Sequence, residues 1–202
     1  MRPITLVAGA LFALLTVPVL AQQGTPTNIR GTVARVESVT LVVKSREGGT
    51  ERIALAPGFA VLGVVKLKLA DIKPGDFVGI AAAPGRDGKL HAQEVLVFPE
   101  AARGTGEGHY PWDLRGKDDT MTNATVSGIV SRSGDRLLKL AYKGGEQEIG
   151  VSARTPVVTF KPAPMTLLKP GAAVFLRALK QPDGALSAEH AIVEQHGVKP
   201  PM

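Results

Sequence analysis

Four landmarks in the first half of the chain recur in the second half at an almost constant spacing. Gly48-Gly49, the turn 72-IKPGDFV-78 and the segment 87-DGKLHAQEV-95 all have counterparts 96 residues later. These counterparts are Gly144-Gly145, 168-LKPGAAV-174 and 183-DGALSAEHA-191. Gly31-Thr32-Val33 matches Gly128-Ile129-Val130 at 97 residues, so a single one-residue adjustment aligns the two halves. Agreement at four separate places predicts a tandem duplication of a unit of roughly 70 residues.

The N-terminal segment has the features of a secretory signal peptide. Arg2 precedes the apolar run 4-ITLVAGALFALLTVPVL-20, and Val19 and Ala21 are small residues at the −3 and −1 positions of a cleavage site before Gln22. Pro18 interrupts the run before it is long enough for a membrane anchor, and we expect no stable membrane insertion after cleavage. The predicted organisation is a signal peptide (1–21), a first repeat (28–98), a connector (99–123), a second repeat (124–195) and a C-terminal tail (196–202).

Each repeat is predicted to be all-β. Short apolar runs at 39–44 and 137–143 stop at Gly-Gly turns and resume at 51–56 and 147–152, which is typical of hairpins. The Lys-Pro-Gly turns precede strands at 77–83 and 173–179, and the Asp-Gly turns precede strands at 89–98 and 185–194. Short helical turns fit only at 65–72 and 161–168. Five short strands per repeat predict two tandem small β-barrels, since closure removes exposed sheet edges.

The same motifs carry a family resemblance over about 140 residues. The order Gly-x-Val, Lys-Pro-Gly-x-x-Val and Asp-Gly-x-x-x-Ala-x-x-Val resembles a family of exported bacterial domains of unknown function with OB-like barrels, often in tandem. The second repeat departs from it at Ala172, where the first has Asp76, and at Ala191, where the first has Val95. The resemblance implies two tandem OB-like domains joined by an ordered connector. It implies no catalytic residues.

Composition narrows the classes of partner. The chain has no cysteine, so neither a disulfide nor a thiolate ligand is available. Removing residues 1–21 leaves 23 basic and 18 acidic side chains, a mild excess spread along the sequence. An exported protein rarely meets nucleic acid, so we expect none as partner. Anionic envelope polymers or lipid head groups are better candidates, and a solvated surface without a partner is favoured over both as the reason for the basic excess. The expected partner of the module as a whole is an envelope protein or polymer.

No pattern in the chain identifies an enzyme. Serines and histidines are present, but there is no G-x-S-x-G elbow to position a nucleophile. Gly104, Gly106 and Gly108 alternate in a spacing that fits neither a dinucleotide-binding nor a phosphate-binding loop. We therefore predict a periplasmic, non-catalytic binding or scaffold module of the cell envelope with no cofactor. A hydrolase acting on envelope polymers is a distant alternative.

The connector is the predicted functional site, because 103-RGTGEGHYPWDL-114 contains the only tryptophan and one of two tyrosines. A structural role, in which Trp112 packs between the barrels, is favoured somewhat over ligand contact. The candidate ligand-binding residues are Arg103, Glu107, His109, Tyr110, Trp112 and Asp113. A periplasmic metal-handling protein is the alternative function, with Glu107, His109 and Asp113 as candidate metal ligands.

Overall fold

The computed structural model describes residues 24–114 and 116–200, so the predicted signal peptide lies outside the described residues. The strands are β1 (Thr25–Glu37), β2 (Thr40–Ser45), β3 (Thr50–Leu67), β4 (Phe77–Pro84), β5 (Leu90–Val97), β6 (Gly108–Pro111), β7 (Thr120–Arg132), β8 (Asp135–Tyr142), β9 (Gly145–Val151), β10 (Val157–Ala163), β11 (Ala173–Lys180) and β12 (Leu186–Val193). Three short 3-10 turns lie at Leu69–Asp71, Glu100–Ala102 and Met165–Leu167. The described residues contain no α-helix, which confirms the all-β prediction.

The first barrel is a closed five-stranded β-barrel built from both halves of the chain. Strands β1, β2 and β3 form an antiparallel meander. β11 pairs with β1, β12 pairs with β11, and β12 closes the barrel by pairing parallel to β3. The first three strands therefore come from the first predicted repeat and the last two from the second.

The second barrel takes three strands from the second half of the chain and two from the first half. β7, β8 and β9 form its antiparallel meander, β4 pairs with β7, and β5 pairs with β4. A short parallel pairing between β5 and β9 closes this ring. The sequence predicts that each repeat closes a barrel of its own, whereas each observed barrel combines three strands from one half of the chain with two from the other half.

The two halves combine in this way because β3 stays extended beyond its hairpin and pairs antiparallel with β10. Val61 lies opposite Ala163, and Leu67 lies opposite Val157. The 96-residue spacing relates Val61 to Val157 and Leu67 to Ala163, so the two strands pair symmetrically about Val64 and Phe160. This central pair of strands carries each half of the chain across to the other barrel. The predicted helical turns then appear as the 3-10 turns that follow β3 and β10.

The two Lys-Pro-Gly turns make the same backbone contacts in the two barrels. The Gly75 amide donates to the Val126 carbonyl at 2.8 Å, and the Gly171 amide donates to the Val33 carbonyl at 2.8 Å. Both glycines have a positive φ, +93° and +87°, which a residue with a Cβ rarely adopts. Each turn is thereby fixed to the first strand of the other repeat.

The first strands of the two halves, β1 and β7, do not align as predicted, with Gly31 matching Gly128. Val33 and Val126 make equivalent contacts with the Lys-Pro-Gly turns, which is a spacing of 93 residues rather than 97. The longer β7–β8 hairpin accounts for the four additional residues. The two glycines differ accordingly: a Cβ on Gly31 would lie 2.0 Å from the Lys44 carbonyl oxygen, whereas a Cβ on Gly128 would meet nothing closer than 3.5 Å.

Three apolar clusters stabilise the molecule. One fills the first barrel around Leu41 and Leu176, and another fills the second barrel around Ile80 and Leu138. The third, which we call the interbarrel cluster, consists of Val64, Leu96, Val158, Phe160, Phe175 and Ile192. Its members come from strands of both barrels, and Trp112 of the connector packs against it.

Candidate functional site

The connector is attached to the second barrel by backbone pairing. β6 adds to the first part of β7, with His109 opposite Thr122 and Tyr110 opposite Met121. The pairing continues with the Trp112 amide, which donates to the Asp119 carbonyl at 2.8 Å. A hydrogen-bonded strand has its side chains set alternately on the two faces of the sheet, so neighbouring connector side chains point in opposite directions.

Side-chain contacts attach the connector to the first barrel. The Asp113 carboxylate accepts hydrogen bonds from Asn28 Nδ2 at 2.9 Å and from Arg30 Nη2 at 3.0 Å. Arg46 donates to the backbone carbonyls of Leu114 and Asp113, at 3.0 and 2.9 Å. The short stretch from Trp112 to Leu114 is therefore held by both barrels.

Arg30 lies at the centre of this attachment. Its guanidinium carbon is 5.5 Å from the centroid of the Trp112 ring and 5.1 Å from that of Phe175, so the cation lies between two aromatic rings. Only 7% of Arg30 is exposed. Burying a charged side chain to this extent costs free energy, and the contacts with the Asp113 carboxylate and the two rings offset that cost.

An open cleft of about 890 Å³ lies beside the docked connector, and we call it the connector cleft. Its lining residues are Asn28, Arg46, Tyr110, Pro111, Trp112, Asp113, Leu114, Gly116, Lys117 and Arg177. Three of these side chains are cationic and one is anionic. Because the Asp113 carboxylate is already bonded to Arg30 and Asn28, the charge offered to a ligand in this cleft is positive.

The pKa of Asp113 reflects its contacts. Partial burial raises the pKa, but the hydrogen bonds from Arg30 and Asn28 and the charge of Arg30 outweigh burial, so the pKa lies below its ordinary value. Asp113 is therefore ionised at neutral pH and held in place, which makes it a poor general base.

Tyr110 occupies a mixed environment in the cleft. Burial raises its pKa above the ordinary tyrosine value, while the charge of Arg177 and a hydrogen bond with it act in the opposite direction. Asn123 Nδ2 lies 3.2 Å from the Tyr110 hydroxyl. The Tyr110 hydroxyl is thus placed between a barrel side chain and a cleft cation.

We expect the pKa of Tyr110 to rise further when Arg177 is replaced by glutamine, because the substitution removes a positive charge that favours the phenolate. Ultraviolet titration of tyrosine in the Tyr142→Phe background measures this pKa directly, since Tyr110 is then the only tyrosine in the chain. An unchanged titration curve for Arg177→Gln would contradict the proximity of the two side chains.

The structure brings together only part of the predicted site. Tyr110, Trp112 and Asp113 line the connector cleft. Arg103 instead bonds Glu100 and the Gly75 carbonyl, and Glu107 accepts from the Lys143 amide at 2.9 Å. These two residues fix the connector to turns of the second barrel.

His109 lies on the opposite face of β6 from Tyr110. Its Nδ1 is 2.8 Å from Thr122 Oγ1, and its ring stacks on Tyr142 with 6.4 Å between centroids. Within residues 24–114 and 116–200, no three His, Asp or Glu side chains form a group that could hold a metal ion. The proposed metal ligands therefore have separate structural contacts.

Sequence reasoning missed the cleft residues that lie outside the connector, namely Asn28, Arg46 and Arg177. They come from β1, from the turn after β2 and from β11, so nothing in the local sequence connects them to residues 110–114. The only available signal was the excess of basic residues, which does not indicate where in the fold they gather.

Comparisons with known proteins give no match. No protein-family model matches the chain, and neither the curated proteins nor the solved structures contain a significant match. In the part of the chain that the structure describes, no helix is long and apolar enough to cross a membrane.

Proposed function

We propose that this protein is an exported, non-catalytic binding or scaffold module of the bacterial cell envelope, and that it binds an anionic ligand in the connector cleft. The observation that carries the proposal is the lining of that cleft: Arg46, Lys117 and Arg177 surround two aromatic side chains. Cationic side chains beside aromatic rings suit a ligand with negative groups on a partly apolar framework.

The ordered connector supports a binding role over a spacer role. A flexible spacer needs no side-chain contacts, whereas this segment has backbone pairing to β7 and charged contacts to Arg30 and Arg46. A site held by two barrels has little conformational freedom to lose when a ligand binds, which favours affinity.

The proposed barrel type is OB-like. Each barrel has a three-stranded meander closed by a hairpin, and in each the last strand pairs parallel to the third. Small barrels of this kind bind oligosaccharides and oligonucleotides on one face. We propose that the chain contains a duplicated OB-like unit whose two copies exchange their last two strands.

Metal handling receives less support as a function. Each of Glu107, His109 and Asp113 is engaged by a different structural partner, Lys143, Thr122 and Arg30 respectively. Binding one ion with these three residues would require breaking all three contacts.

Export is tested by the mass of the mature chain. If residues 1–21 are removed on secretion, we expect intact-mass measurement of protein from a periplasmic extract to give a chain that begins at Gln22. Protein that begins at Met1 and sediments with the membrane fraction would contradict both export and cleavage.

The binding proposal is tested by the emission of Trp112, which is the only tryptophan. Titration of the purified protein with vesicles of anionic phospholipid or with soluble acidic polysaccharides should change this emission in at least one of the two cases, whereas neutral vesicles and neutral polysaccharides should not change it. Lys117→Gln/Arg177→Gln should weaken binding, so that about tenfold more ligand is needed for the same response. Lys89→Gln/Lys161→Gln, which removes two exposed lysines outside the cleft, should preserve it. No response to any anionic ligand would contradict the proposal.

A further inference from the structure

The connector cleft adjoins a second depression, of about 620 Å³. Arg46 and Leu114 line both, and we call the two adjoining depressions together the connector groove. Lys44, Lys199 and the buried Arg30 belong to the second part. The groove therefore runs from Arg177 past Arg46 to Lys44.

The groove contains most of the molecule's excess positive charge. Among residues 24–114 and 116–200, six basic but only two acidic side chains line it, a net charge of four, and these residues as a whole contain 22 basic and 18 acidic side chains, also a net charge of four. A basic excess that is mild and dispersed along the sequence is thus concentrated on one surface of the fold. Concentrated charge of one sign in a concave surface attracts ligands of the opposite sign.

The exposed groove cations lie apart along β1 rather than around one point. Arg177 is paired with Asn28 and Lys44 with Thr32, four residues along the same strand, or roughly 13 Å apart. Lys117 lines the depression that contains Arg177, and Lys199 lines the one that contains Lys44. All four are exposed. Among residues 24–114 and 116–200, none of these four side chains forms an ion pair with a carboxylate. Such a series matches negative charges that repeat along a chain.

We propose that the connector groove binds a linear acidic polysaccharide, whose carboxylate or other anionic groups contact the cations at both ends of the groove. This inference rests on the proposed function and extends it from an anionic ligand to an extended polymer. Arg46 lines both parts, but its guanidinium is bonded to Glu47 and to the Asp113 and Leu114 carbonyls, so the exposed lysines and Arg177 make the contacts with the bound chain.

A polysaccharide fits the groove better than single-stranded nucleic acid. Nucleic-acid strands stack their bases on available aromatic faces. Here one face of the Trp112 ring is covered by Arg30, and Tyr110 packs against Trp112 with the rings inclined at 67°. A polysaccharide also fits better than a membrane surface, because a flexible chain can follow a recess that a planar array of head groups cannot enter.

The test compares ligands of different length on the purified protein. We expect an oligogalacturonate of eight sugars to bind at least about tenfold more tightly than galacturonate itself, because contacts at both ends of the groove add to the affinity. Lys44→Gln/Lys199→Gln and Lys117→Gln/Arg177→Gln should each weaken octamer binding about tenfold. Each should also make the slope of log affinity against log salt shallower by about one to two. Lys89→Gln/Lys161→Gln is the charge-matched control, and thermal unfolding checks that all variants remain folded.

The outcomes separate this inference from the proposed function. Equal affinity for monomer and octamer, or loss of affinity only in Lys117→Gln/Arg177→Gln, would overturn the extended groove and leave binding in the connector cleft standing. Tighter binding of an eight-residue oligothymidylate would overturn the choice of polysaccharide. A response to anionic vesicles alone would overturn this inference too, while no response to any anionic ligand would overturn both proposals.

Discussion

Fragments covering residues 24–98 and 99–200 will each fail to form a folded monomer, and mixing them will restore the native fold. The reason is the exchange of strands between the two halves. Nine of the fifteen buried residues in the core of the first barrel, including Val174 and Leu176, belong to the second fragment. Burial of each large apolar side chain contributes about 1.5 to 3 kcal/mol. Five of the nine are large apolar residues, so losing them costs roughly 8 to 15 kcal/mol, which is as much as the typical net stability of a domain, about 5 to 15 kcal/mol.

Circular dichroism, size-exclusion chromatography and thermal unfolding of each fragment, of the mixture and of the intact chain measure this effect. An isolated fragment should be unfolded or self-associated, because the unpaired backbone groups of its edge strands can form hydrogen bonds with another chain. A 1:1 complex with a cooperative transition should appear on mixing. Either fragment unfolding cooperatively as a monomer would mean that a repeat closes its own barrel, which would contradict the observed exchange.

Arg30→Ala is the single substitution with the largest expected effect on the connector, a loss of roughly 2 to 4 kcal/mol in the free energy of unfolding. The substitution removes a charge-assisted hydrogen bond to Asp113 and the stacking on Trp112 and Phe175. The loss is limited because Arg30 Nε is buried and, among residues 24–114 and 116–200, has no hydrogen-bond partner, so removing it relieves that cost. Chemical denaturation followed by circular dichroism measures the change.

Arg35→Ala is the matched control, since Arg35 lies on the same strand but forms an exposed ion pair with Glu37. Exposed pairs of this kind contribute little to stability, because solvent screens the two charges. Arg30→Lys should lie between the two, because it keeps the charge but loses the planar group that lies between the rings. Equal effects of Arg30→Ala and Arg35→Ala would contradict the role assigned to Arg30.

Local sequence patterns predicted most individual strands. The predicted strands 77–83 and 89–98 correspond to β4 (Phe77–Pro84) and β5 (Leu90–Val97), because turn residues and apolar runs mark their ends. The strand predicted at 51–56 instead extends to Leu67. Its second part is stabilised by β10, about 96 residues away, and a contact between such distant segments leaves no local pattern.

The candidate site was predictable in position but not in chemistry. The scarcity of aromatic residues indicated that residues 110–113 form an ordered element, and the structure places Tyr110, Trp112 and Asp113 together in the cleft. Which face His109 occupies depends on the register of β6 against β7, which the sequence does not specify. In the sequence, Arg30 has no feature that distinguishes it from an ordinary strand residue. Only the pairing of β1 with β11 shows that Phe175 lies beside it.

Quenching of Trp112 fluorescence tests most directly the central claim, that the connector is docked between the barrels and forms the binding cleft. Acrylamide is the preferred quencher, because iodide would be concentrated by the positive groove. We expect emission blue-shifted from that of free tryptophan in water, weak quenching, stronger quenching in Arg30→Ala, and an emission change when an anionic ligand is added. Emission and quenching like those of free tryptophan, unchanged by Arg30→Ala and by every anionic ligand, would contradict the claim.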